Sequence, residues 1–188
     1  MSSTSRRELN SRQADTLDKL LAAARVELDE VGHEVLTIRT VAARAGVSSA
    51  TAYNYFASRD HLFAELFWRH LATAQHPPLA GRSSTRRLQQ TTRDLANTIS
   101  SAPALAAAAT KSLLGSDPAV AELRVRIGTV FADRFREAMG ERVDPLALET
   151  LLFAFQGALL QTGMGLFTYS ELADRLDDVV AVIMKGNQ

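Results

Sequence analysis

The chain contains no cysteine. Disulfides, thiolate metal sites and cysteine nucleophiles are excluded, and a reducing cytosol is the compartment this composition fits. Net charge is missing too: 21 Lys and Arg balance 21 Asp and Glu. Any affinity for a polyanion therefore has to come from a local basic patch. No long apolar run is present. The most apolar stretch, 146–160, is interrupted by Glu149 and Gln156 and falls short of the roughly 20 residues a membrane-spanning helix needs. No apolar segment follows Arg6 and Arg7 as a secretory leader would require. The expectation is a cytoplasmic protein with no membrane partner. Alternating β-branched segments bounded by turns are absent, which argues against strands. Catalytic constellations are absent as well: no Gly-x-Ser-x-Gly, no phosphate loop and no histidine pair at metal-ligand spacing. His33, His61, His70 and His76 are scattered, and Gly163-x-Gly165 reads as a helix breaker. No enzymatic activity, catalytic residue, metal or cofactor is expected.

What remains is helix. At 188 residues the chain can bury roughly 70% of its unfolded surface and needs no metal to fold. Leu17, Leu20, Leu21, Ala24 and Leu28 recur at spacings of three and four, predicting a helix from about Ser11 to Val31 that ends at Gly32. Thr37 is placed to cap a short helix reaching Ala45, Ser48 another reaching Tyr55, and Ser58 a longer one to about Ala74. Pro77-Pro78 and residues 81–83 read as a linker. Helices are then expected over 85–100 and from Pro103 to Gly115. Two Asp-Pro pairs, Asp117-Pro118 and Asp144-Pro145, open two more. Ser170 is expected to cap the last, whose Leu172, Leu176, Val179, Val180 and Ile183 share a side. The fold expected is all-α, with about nine helices. A disordered arm (1–10) precedes a helix-turn-helix domain (11–75), and a larger helical domain follows (76–188).

The segment 36–62 reads LTIRTVAARAGVSSATAYNYFASRDHL. Two short helices meet at Gly46, with Ile38, Val41, Ala42, Ala45 and Val47 available for their contact. Small Ala42 and Ala45 allow close approach, and glycine suits the turn. The following helix exposes Ser48, Ser49, Thr51, Asn54 and Tyr55, hydrogen-bonding groups near a helix N-terminus that attracts phosphate. Arg39, Arg44 and Arg59 surround them against Asp60. This is the footprint of a recognition helix with phosphate clamps. On spacing alone, a purely structural helical hairpin with a solvated polar face fits equally well.

The same segment resembles the DNA-binding domain of the TetR family of bacterial regulators. Val41-Ala42, Ala45-Gly46-Val47-Ser48, Thr51-Ala52-Tyr53-Asn54-Tyr55-Phe56, Ser58-Arg59-Asp60 and Leu62 match that family's pattern in order and without a gap. The resemblance implies that Thr37, Thr40, Tyr53 and Tyr55 touch phosphates, and that Arg59 clamps one in place of the usual lysine. It further implies that Ser48, Ser49, Ala50, Thr51 and Asn54 face bases or backbone, and that Phe56 packs in the domain core. Ser49 and Ala50 depart from the family's common basic residue and glycine, and Ala52 is smaller than its usual aliphatic. The operator sequence is therefore left open.

The resemblance also implies a homodimer on palindromic double-stranded DNA, paired through the last two helices (145–163 and 170–185). The sequence is compatible, since Leu151, Leu152, Phe155, Leu159 and Leu160 make the first of these apolar on more than one side. The family's ligand pocket lies between the fourth and eighth helices. Trp68, Leu71, Thr110, Phe131, Phe135, Phe153 and Gln156 are its candidate lining here, with Leu105 and Leu113 beside them. Thr110 and Gln156 would orient a small hydrophobic or amphipathic ligand, whose binding would release a repressor from its operator. A helical carrier module with a vestigial motif and a regulator without a small ligand are the competing readings.

Overall fold

We describe a computed structural model of the chain covering residues 3–81, 83–141 and 143–185, with side chains from Ser11 onward. Nine α-helices and no strand occur among the described residues. They are α1 (Ser3–Val35), α2 (Ile38–Arg44), α3 (Ser49–Tyr55), α4 (Arg59–Thr73), α5 (Ser84–Ser100), α6 (Pro103–Leu114), α7 (Ala121–Met139), α8 (Pro145–Gly163) and α9 (Tyr169–Lys185). One 3-10 turn, Pro118–Val120, leads into α7. The all-α expectation holds.

Local chemistry sets most boundaries. Thr37, Ser48, Ser58 and Ser83 each accept a backbone N–H three residues on, satisfying one of the donors a helix start leaves unpaired. Asp144 accepts from both Leu146 N and Ala147 N, two and three residues on. Two expectations need correction. Residues 3–10 of the expected arm are not set apart from α1, whose backbone is helical from Ser3, and residues 1 and 2 lie outside the described ones. No glycine or proline lies between Ser3 and Val31 to stop it, and the helix is broken only at Gly32 (φ 76, ψ 168). The side chains of Arg6 and Arg7 lie outside the described ones. The last helix is capped by Thr168, not Ser170. Thr168 Oγ1 accepts from Glu171 N at 3.3 Å, while Thr168 N donates to Glu171 Oε2 at 2.7 Å. A reciprocal capping box needs its acidic partner three residues on, and only Thr168 has one there.

Burial follows the helical periodicity. Leu20, Leu21, Ala24 and Leu28 of α1 close over Leu36, Ile38, Val41, Ala42, Ala52, Phe56 and Leu62. From there one apolar core continues without a break through α4 into α5–α9, as far as Met184. Burying a side chain such as Phe56 contributes roughly 1.5–3 kcal/mol. Helix α4 is the shared element: Leu62, Phe63, Ala64, Leu66, Phe67 and Leu71 are all buried, because α1 covers one side and α5, α6 and α7 the others.

Polar ties fasten the rest. The Gln90 side chain holds the middle of the linker, accepting from Ala80 N (2.8 Å) and donating to the Pro78 carbonyl (3.1 Å). Arg87 donates to the Ala138 and Met139 carbonyls at the end of α7. Arg93 bridges α5 to Asp174 and Asp177 of α9.

Candidate nucleic-acid interface and the cavity behind it

The α2–α3 turn is built on Gly46 at φ 69. Gly46 N donates to the Ala43 carbonyl (3.2 Å) and Val47 N to the Ala42 carbonyl (3.0 Å). This is the Schellman pattern, which requires a left-handed residue at that position. It turns α3 across α2, with Val41, Ala42 and Ala52 buried and Ala45 and Val47 packed at the edge.

The polar residues predicted for this face divide into those free to meet a partner and those held by the protein. Ser49, Ala50, Tyr53 and Asn54 are exposed on α3, and no hydrogen bond within the described residues engages their side chains. Thr37 and Thr40 are exposed but bonded to each other: each backbone N–H donates to the other's hydroxyl at 3.1 Å. Ser48 and Thr51 share a hydroxyl contact at 2.8 Å in the α3 cap. Tyr55 donates its hydroxyl to the Gln13 carbonyl of α1 at 3.2 Å. Arg59 is half-buried, and its Nη1 donates to the carbonyls of His33 (3.3 Å) and Glu34 (3.1 Å). Arg44 binds Glu27 (2.6 Å) and Glu30, whose hydrogen bonds raise its pKa above the ordinary arginine value. Three groups credited with phosphate contact or positive charge therefore also fasten the domain to α1. Arg39 is the exposed arginine of α2 with no ion pair among the described residues. Phe56 is buried as expected, with its ring edge-on to His61 at 5.9 Å.

Behind this domain, α4, α5, α6, α7, α8 and α9 line a cavity of about 230 Å³ that is partly open to solvent. Of the predicted lining, Thr110, Phe131, Gln156 and Leu113 are at its wall. The others are elsewhere. Trp68 packs on Ala64, Val120 and Leu123, with the Arg126 guanidinium 5.2 Å from its ring. Leu71 and Leu105 are buried in the core. Phe135 is buried edge-on to Phe155 at 5.5 Å. Phe153 is 66% exposed on the outer face of α8. Sequence reasoning missed Phe67, Arg124 and Tyr169. The signal for Phe67 was present in part: it lies one residue from the chosen Trp68 on the same helix.

The cavity's polar groups are Thr110, Arg124, Gln156 and Tyr169. Thr110 also fixes the helix approach: a Cβ on Gly163 would stand 2.8 Å from Thr110 Cγ2, so α8 can end against α6 only with glycine there. Tyr169 is raised above the usual phenol value by burial, a shift partly offset by the neighbouring Thr110 hydroxyl. By hydrogen-bond geometry the buried Tyr169 hydroxyl has no partner among the described residues.

Two ties connect cavity and interface. Ser112 of α6 donates to Asp60 Oδ1 at 2.8 Å, and Ser58 donates to Asp117 Oδ2. The Ser58 hydroxyl, then the Ala119 N–H, hold the Asp117 carboxyl below its usual value.

A family model described as "Bacterial regulatory proteins, tetR family" matches residues 20–66, the segment that builds α2, α3 and their packing on α1. An uncharacterized HTH-type transcriptional regulator of Mycobacterium tuberculosis is 43% identical over 182 residues, covering 94% of this chain and 84% of its own. The HTH-type transcriptional repressor KstR of Rhodococcus jostii is 30% identical over 143 residues, 74% of this chain and 63% of its own. The fold is shared with a TetR transcriptional regulator from Rhodococcus sp. RHA1, at a TM-score of 0.76 and 21% identity over 90% of this chain and 94% of that one. The family is one of regulators and not of enzymes. The helix-turn-helix geometry and the 43% identity over nearly the whole length lead to one conclusion: the chain belongs to the TetR family of bacterial regulatory proteins and is a DNA-binding transcriptional regulator.

Proposed function

We propose that this regulator is a cytoplasmic homodimeric repressor of a palindromic operator, released when a small hydrophobic or amphipathic molecule occupies the inner cavity. Residues 11–75 bind DNA, and 76–188 bind the ligand and pair the subunits. One observation carries the reading: α4 supplies Phe67 to the cavity wall and Leu62 and Phe63 to the core under the helix-turn-helix. A ligand that shifts α4 therefore shifts α3. A coupling of about 1–3 kcal/mol would weaken operator binding about 5–150-fold. The repressor sense is supported by the likeness to KstR, a named repressor.

Ser49, Ala50, Tyr53 and Asn54 are the free groups of α3 that reach the duplex, with Ser48 and Thr51 at its first turn and Thr37 and Thr40 on the flanking phosphates. Pairing is supported by the outer face of α8 and α9, where Leu146 (71%), Phe153 (66%) and Val182 (69%) are exposed together with Val179. Large apolar groups left in water on neighbouring helices mark a surface that a second subunit covers. Two recognition helices about 34 Å apart then fit successive turns of the major groove.

Fluorescence anisotropy on the protein's own upstream DNA, titrated with salt, tests the reading. Specific binding with a steep salt dependence, lost on adding a cavity ligand, is the expected result. Ligand binding with no DNA binding at low salt would favour a carrier module instead.

A further inference from the structure

Arg124, in the first turn of α7, is half-buried at the cavity wall. Its Nε donates to the Leu113 carbonyl at 2.8 Å, and its Nη2 to the Gly115 and Asp117 carbonyls. The three acceptors run from the last turn of α6 (Leu113) into the stretch before the 3-10 turn (Gly115 and Asp117). No carboxylate among the described residues forms an ion pair with it. The nearby Asp117 carboxylate is already engaged, Oδ2 by Ser58 and Oδ1 by Ala119 N. A guanidinium has five N–H donors in a rigid fork, and the two on Nη1 meet no acceptor among the described residues. Tyr169 adds the buried, unpartnered hydroxyl. The rest of the wall, including Phe67, Ile99, Phe131 and Leu159, is apolar. A cation with free donors, a lone hydroxyl and an apolar wall together describe the complement of one kind of molecule.

We propose that the cavity takes an amphipathic anion. Its apolar body lies against Phe67, Ile99 and Phe131, a hydrogen-bonding group meets Tyr169, and a carboxylate or phosphate head docks on Nη1 of Arg124. The inference rests on the cavity being the effector site. It also assigns a role to the head group. An anion on Nη1 competes for the positive charge that strengthens the bonds of Arg124 to the Leu113, Gly115 and Asp117 carbonyls. That stretch is flanked by Ser112 and carries Asp117, the residues that grip Asp60 and Ser58 at the start of α4. The apolar body supplies affinity, and the head group loosens α4.

The test compares decanoate, decyl phosphate and decanol on the full chain by calorimetry, with operator release by anisotropy in parallel. The wild type is expected to bind an anionic probe at least about tenfold more tightly than decanol, the effect of one charge-assisted pair. The better anion identifies which head group the site suits. Arg124→Met is expected to reduce that preference to about twofold, and Arg124→Lys to keep most of it. Should Arg124→Met fail to fold, the carboxyl resonance of carbon-13-labelled decanoate on the wild type reads the same contact: a guanidinium beside it lowers the bound carboxyl pKa. Equal binding of decanoate and decanol, an unshifted carboxyl pKa, or binding of none of the three would overturn the anion site. Failure of the effector reading has another signature: Arg124-dependent binding of an anion that leaves operator affinity unchanged at saturation.

Discussion

Ser112, near the end of α6, donates its hydroxyl to Asp60 in the first turn of α4 across 2.8 Å. Ser112 is buried, at 1% exposure, so this bond runs inside the protein from the cavity-lining α6 to the start of α4, beside the helix-turn-helix. Ser112→Ala should remove about 1 kcal/mol of stability, seen as a lower urea midpoint with an unchanged slope. It should also reduce the ligand-induced drop in operator affinity. A variant with lowered stability and an intact ligand response would show that the tie is structural only.

The exposed and the engaged residues of the DNA face should behave differently. Arg39→Ala should weaken binding similarly on all sequences and reduce the salt slope by about 1. Changes at Ser49, Ala50 or Asn54 should instead alter which base pairs are preferred, by about 1–3 kcal/mol per lost base contact. Arg44→Ala, which severs the link to Glu27 and Glu30, should lower the melting temperature with little change in salt slope. Anisotropy at several salt concentrations beside a thermal melt separates these outcomes.

Gly46→Ala isolates the cost of backbone conformation. A Cβ there meets no atom within 4 Å, so no clash contributes, yet φ is +69°. The left-handed conformation costs an L-residue about 1–2 kcal/mol, and chemical denaturation should recover that amount. Gly46→Asn should cost less, because asparagine tolerates this region better.

His76 predicts an acid-side loss of stability. Burial, then the Arg134 charge, lowers its pKa from 6.5, with Asp94 and Glu137 opposing. The unfolded chain therefore binds the proton more readily than the folded one. Stability from neutral His76 is present above pH 6.5 and is lost as pH falls from there through the lowered folded value. Urea midpoints between pH 7.5 and 5.5 should fall less for His76→Gln than for the wild type. Parallel curves would assign the acid sensitivity to other groups.

Phe153→Glu should convert a dimer to a monomer in light scattering without unfolding the subunit, since Phe153 is 66% exposed within one chain. A variant that remains dimeric would move the pairing surface elsewhere.

Helix boundaries were legible because caps are local chemistry. Thr37, Ser48, Ser58 and Asp144 each bond a backbone N–H within three residues, and a linear sequence displays such pairs directly. Two candidate hydroxyls, Thr168 and Ser170, stand two residues apart before the last helix, and the Glu171 partner decides for Thr168. The orientation of α8 was not legible. A helix apolar on more than one side gives periodicity little to choose between, and Phe153, which the sequence places at the cavity, faces solvent. Long-range ties were equally hidden. Tyr55 reaches Gln13 across 42 residues, and Arg59 reaches Glu34 across 25. Nothing local distinguishes an arginine that holds a carbonyl from one that awaits a phosphate.

Helix α4 is enclosed on both flanks, whereas the exposed residues of α3 and the α6–α8 cavity wall are surfaces of separate elements. Substitutions that retarget the operator and substitutions that retarget the ligand therefore fall on different positions. Two lineages sharing this architecture can drift apart in the genes they govern and in the signals they answer, each at its own pace. What they must inherit together is the packing of Leu62, Phe63, Leu66 and Phe67.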